Sequence, residues 1–188
     1  MDTRSRRLNL VAALGLALGA AFGLGGSLVH TASLRGLFWG IDGTGLVMAA
    51  SLLTLKYFQK GCLFIAAGFL IFAVGQGAIL SGAAASLTAS VPSFAAGTAL
   101  WAVALLFISV PNEFALWVRL PGIVSFVLFL TVALRIFHGE RILPVSSPLP
   151  FFAYPFLVFT MIGWIWTLLR EKPSPRLSRP TAPATAQV

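Results

Sequence analysis

Residues 8–29 read LNLVAALGLALGAAFGLGGSLV, without one Asp, Glu, Lys or Arg. A helix needs about 20 apolar residues to cross a hydrocarbon layer roughly 30 Å thick. Lipid offers no partner to backbone N–H and C=O groups, so such a stretch closes its hydrogen bonds internally as an α-helix. Arg4, Arg6 and Arg7 precede it in the manner of a secretory leader, but the run is longer than the apolar core of about 7–15 residues that leaders carry. The sequence therefore predicts a retained first helix.

The same pattern recurs along the chain. Apolar segments at 37–55, 62–80, 94–110, 122–137 and 149–169 give, with 8–29, six predicted spans in an all-α membrane bundle. The 188 residues are 58% hydrophobic and only 10% charged, against roughly 25% charged in globular domains. Mean hydropathy is +0.93. Residues 1–170 are expected to form one six-helix transmembrane domain. Residues 171–188, rich in Pro, Ala, Ser and Thr, have the composition of a disordered cytoplasmic tail.

Charge placement sets an orientation. With the N-terminus inside, Arg4, Arg6, Arg7, Lys56, Lys60, Arg119, Arg170, Lys172, Arg176 and Arg179 all fall on the cytoplasmic side, ten of the 13 basic residues. Basic loops are retained in the cytoplasm, and an even number of spans returns the C-terminus to the same side. This N-in/C-in topology is the one expected of a multi-pass, bacterial-type inner-membrane protein whose first partner is the lipid bilayer. The net charge of +8 sits at segment ends and forms no stripe on a soluble face, which argues against nucleic acid. Cys62, the one cysteine, excludes an intrachain disulfide and a thiolate cage and is expected as a small packing residue.

Small residues predict how the helices meet. Gly15, Gly19 and Gly23 repeat every four residues and clear one helix stripe for close backbone approach, either within the chain or toward a second copy or another membrane protein. Gly61, Gly68, Gly75 and Gly82 repeat every seven and mark a face of the third segment. Gly36, Gly40, Gly43 and Gly45 crowd the second, as close packing or a bend. Segments five and six, with bulky side chains and few small ones, are expected to face lipid more. Between Pro111 and Pro121, Phe114, Trp117 and Arg119 read as an interfacial turn with aromatics at headgroup level.

Asp42 is the one acid inside a predicted span, and a carboxylate at a helix centre costs about 2.5–3.5 kcal/mol on insertion scales. Counted from the expected helix ends, Asp42, Gln76 and Tyr154 fall in one layer of the outer leaflet, a tentative ligand pocket that Thr44, Ser27 and Ser81 can extend and Trp39 can wall. In that reading Asp42 accepts a proton or a cation. The structural alternatives are a cap on a helix that starts later, or an ion pair with Arg35, Arg135 or His138.

His30 and His138 end the first and fifth segments on one face and are weak candidates for haem or metal ligation. The loop with His138, Glu140 and Arg141 has acid and base types but reads as a solvated cluster. Glu113 is expected to offset Lys56 and Lys60. No phosphate loop, nucleophile elbow or metal-ligand spacing is present, and no cofactor is predicted. The sequence thus points to a small-solute or proton-linked carrier, or an accessory membrane subunit, with a polar outer-leaflet pocket. A membrane redox or small-molecule enzyme using the outer-face histidines, and a purely structural assembly protein, are the alternatives.

Overall fold

The computed structural model describes residues 3–83, 86–146 and 148–171. Among them lie six α-helices and no strand: α1 (Thr3–Leu28), α2 (Ala32–Gln59), α3 (Leu63–Ala83), α4 (Val91–Ser109), α5 (Leu116–Phe137) and α6 (Ala153–Arg170). Each is long and apolar enough to cross a membrane, which makes them six candidate transmembrane helices of a multi-pass membrane protein. Of the tail expected at 171–188, Glu171 is described, as the C-cap of α6, and 172–188 lie outside the described residues.

Each helix packs on its neighbours in sequence, and α6 returns to α1, so the six close into a ring. Short connections force consecutive helices to run antiparallel. One end of the ring therefore gathers the starts of α2, α4 and α6, here the Asp42 end. The other gathers the finishes of α2, α4 and α6, here the Lys56 end. Ring closure gives every helix two helical neighbours, and α5 and α6 make the least extensive contacts with theirs, in the direction expected from their bulky side chains.

The middle of the ring is filled by aromatic rings in sequential contact. Phe114 meets Tyr57, Tyr57 stacks on Phe69, Phe69 meets Trp164, Trp164 meets Phe72, Phe72 stacks on Trp101, Trp101 meets Phe129 and Phe129 meets Tyr154, with centroids 5.0–6.1 Å apart. These are the spacings at which edge-to-face and offset pairs gain beyond their burial. Leu14, Phe58, Phe64, Leu116 and Phe159 point outward and are exposed, so the ring is apolar on its outside as well as within.

The glycine stripes find their faces inside the chain. A Cβ on Gly15 would lie 2.6 Å from the Gly45 carbonyl oxygen, and one on Gly45 would lie 2.9 Å from that of Gly15. The two backbones touch where α1 crosses α2, and the stripe of Gly15, Gly19 and Gly23 is occupied by α2. Gly68, Gly75 and Gly82 face α4, while Gly61 leaves the series as a turn residue at φ +77°. α2 runs unbroken past its four glycines.

The stretch between Pro111 and Pro121 differs from expectation. Phe114 is buried against Tyr57, and residues from Leu116 onward, Pro121 included, are already helix. The reason is at the end of α4, whose last carbonyls have no intrahelical donor. Arg119 supplies one, its Nε donating to Ser109 O at 2.8 Å and a terminal nitrogen to Val110 O at 2.7 Å.

Candidate functional site at the Asp42 end

α2 begins at Ala32, five residues before the predicted start of the span, which moves Asp42 to about 15 Å from the helix end at 1.5 Å per residue. Asp42 is therefore no cap; that position belongs to Thr31. It is buried, and among the described residues it forms no ion pair with Arg35, Arg135 or His138. Arg135 pairs with Glu140 instead, and Arg35 lies over the Trp39 ring.

The three residues singled out in the sequence line one cavity. Asp42 comes from α2, Gln76 from α3 and Tyr154 from the start of α6, and the cavity has a volume of about 50 Å³. Gln76 Nε2 donates to Asp42 Oδ2 across 3.3 Å. On the other side of the carboxylate is α1, where a Cβ on Gly23 would come within 3.1 Å of Oδ1. That glycine leaves the acid room to sit between helices.

Trp39 walls the cavity as expected. Thr44, Ser27 and Ser81 do not extend it: each hydroxyl donates to a carbonyl of its own helix, Gly40 O, Gly23 O and Ala78 O. That local bond satisfies a hydroxyl without any tertiary partner. Ser90, Phe94, Trp101 and Pro144 complete the lining instead. Trp101 and Phe94 stand seven residues apart on α4, one face of a helix. A Trp placed in a span with its N–H to satisfy was the signal available for it.

Two polar atoms of this lining have no hydrogen-bond partner. Gln76 is 1% exposed and Trp101 4%, yet Gln76 Oε1 and Trp101 Nε1 are both unpaired. Buried polar groups are paired in the great majority of cases, and leaving one unpaired costs about 1–3 kcal/mol. A third unpaired group, Ser125 Oγ, is on α5 and does not line this cavity.

The Lys56 end also joins an acid and an amide, but adds two lysines and is closed. Lys56 Nζ donates to Asn9 Oδ1 at 2.9 Å and pairs with Glu171, and Lys60 pairs with the other Glu171 oxygen. Asn9 Nδ2 donates to Leu168 O at 3.1 Å and Glu171 Oε2 at 3.2 Å. The partner of both lysines is thus Glu171, not Glu113. Burial pushes the Glu171 carboxyl up, but its hydrogen bonds and charge contacts with Lys56 and Lys60 outweigh this and hold it at about 2. Asn9 and Glu171 went unseen in the sequence, although topology puts the start of α1 and the finish of α6 beside the finish of α2.

His30 and His138 are both exposed. The ring Nδ1 of His138 lies 2.7 Å from Leu134 O. The helices they follow, α1 and α5, are not neighbours in the ring. Among the described residues no three His, Cys, Asp or Glu side chains cluster as metal ligands. Cys62 is a free, half-buried thiol against the core.

Comparison of the chain with protein-family models, with curated proteins and with solved structures finds no match.

Proposed function

We propose that this chain is a multi-pass protein of a cell inner membrane, both termini cytoplasmic, that binds a small polar solute or a proton at the Asp42 end and works as a carrier rather than an enzyme. Insertion is supported by the exposed Leu, Phe and Trp side chains around the ring, because soluble monomers rarely expose wide apolar patches. Orientation is supported by the bias of basic residues to one side. A reporter fused after Val188 will be active only in its cytoplasmic form. Activity on the opposite side would reverse the topology.

The observation that carries the binding reading is the coincidence, in one cavity, of a buried acid without a basic partner and two unpaired polar atoms. The polar groups of the Lys56 end, by contrast, are paired within the chain. Native mass spectrometry of the detergent-purified protein will find a small molecule retained by the parent chain and lost from Asp42→Asn. A bare chain in both would remove the site.

A further inference from the structure

The chemistry of the lining narrows the solute, on the reading that this cavity is a binding site. Asp42 is the one acidic group in the lining, and neither Lys, Arg nor His is among the residues around it. A carboxylate with no cation inside the protein asks for one from outside. With Asp42 ionised, Gln76 turns its amide nitrogen to the carboxylate and its carbonyl oxygen is the end without a partner. Both the charge and the free oxygen call for a donor.

Four aromatic side chains, Trp39, Phe94, Trp101 and Tyr154, supply much of the remaining wall. Such walls suit a cation, because π faces attract ammonium groups and exclude anions. The volume of about 50 Å³ corresponds to about three to five water-sized positions, enough for a solute of a few heavy atoms. Trp101 Nε1–H is the contrasting element: it is a donor with no partner, and an ammonium group cannot satisfy it. An oxygen on the same solute can.

We propose that the cavity takes a small aliphatic ammonium ion, its N–H groups donating to Asp42 and to Gln76 Oε1, with preference for one that also carries a hydroxyl to accept from Trp101 Nε1. An alkylammonium alone meets two of the three demands. An amino alcohol meets all three.

The test is the rise in unfolding temperature of the detergent-purified full chain on adding ethylammonium, ethanolammonium, urea or acetate as its simple salt or solution, since a ligand that binds only the folded state raises Tm by an amount that grows with the logarithm of its concentration over Kd. Both ammonium ions should raise Tm and acetate should not. Ethanolammonium should bind roughly three- to tenfold tighter than ethylammonium, the worth of one hydrogen bond. Asp42→Asn should weaken both by roughly tenfold or more, through loss of the charge-assisted contact. Trp101→Phe should erase the difference between the two while leaving ethylammonium binding in place, which a variant that merely misfolds cannot do. Equal shifts with urea and with the ammonium ions, or urea alone acting through Asp42, would overturn the cationic solute while leaving a binding site. No shift with any of the four would overturn the site and its solute together.

Discussion

The two ends of the ring use similar side chains to opposite effect. At the Lys56 end, a buried Lys, a buried Asn and a half-buried Glu meet and every polar atom described for Asn9 and Lys56 has a partner in the chain. At the Asp42 end, a buried Asp and Gln meet through one 3.3 Å hydrogen bond and leave an amide oxygen and an indole N–H unpaired. The first arrangement ties α1, α2 and the finish of α6 into one unit. The second gains the fold little, because burying polar groups without partners is costly. What separates the two ends is satisfaction, not depth.

The largest expected effect is on the closed end. Lys56→Met leaves Glu171 with Lys60 and Asn9 only and strips Asn9 Oδ1 of its donor, and should lower the unfolding free energy by about 2–3 kcal/mol, less than a fully buried pair because Glu171 is partly exposed. Denaturant or thermal unfolding in detergent reads this directly. Asn9→Leu should follow at about 1–2 kcal/mol, since it removes hydrogen bonds to Leu168 O and Glu171 together. Wild-type stability after either change would mean that this end is no clamp.

Acid offers a milder way to open the same end. The Glu171 carboxyl is depressed in the folded protein to about 2, below its ordinary value of about 4.3. The folded state therefore binds fewer protons, and the stabilisation is complete above the unfolded value and is lost as pH falls from about 4.5 toward 2. With allowance for solvent screening it amounts to about 1–2 kcal/mol. Glu171→Gln should be less stable at neutral pH and should lose this acid-dependent component. An identical acid profile in the two proteins would place the effect elsewhere.

Asp42→Asn should sharpen the contrast by costing the fold almost nothing. Asn is nearly the same size, can still accept from Gln76, and no longer brings an uncompensated charge into the bundle, so Tm should stay level or rise. A fall comparable with that of Lys56→Met would mean that Asp42 is structural glue. The smallest effect is expected from Glu140→Gln, whose partner Arg135 shares its exposure; an exposed pair of this kind contributes little, and no resolvable change in Tm should follow.

Much of this arrangement was legible in the sequence because lipid imposes a strong rule. Six apolar segments had to be helices, and the glycine stripe of α1 announced a close approach that Gly45 of α2 completes. Asp42, Gln76 and Tyr154 were picked out by their type and level in the spans, and the cavity holds all three. Helix starts were less legible: Ala32 to Gly36 contains Ser and Arg and dilutes the apolar signal, which hid about half of the depth at which Asp42 sits. Thr44, Ser27 and Ser81 misled because a hydroxyl in a helix can bond its own backbone. Trp101, Asn9 and Glu171 were missed because their importance comes from which helices adjoin, and no spacing within one segment reports that α6 closes on α1.

The most direct test of the contrast between the two ends is a structure of the protein in a lipid nanodisc, at a resolution that shows small ordered molecules, beside its Asp42→Asn variant. A solute-sized density touching Asp42, Gln76 Oε1 and Trp101 Nε1 in the parent protein and absent from the variant is the predicted result. A cavity closed by new bonds from Gln76 and Trp101 to protein atoms, or filled by the same water in both proteins, would contradict it.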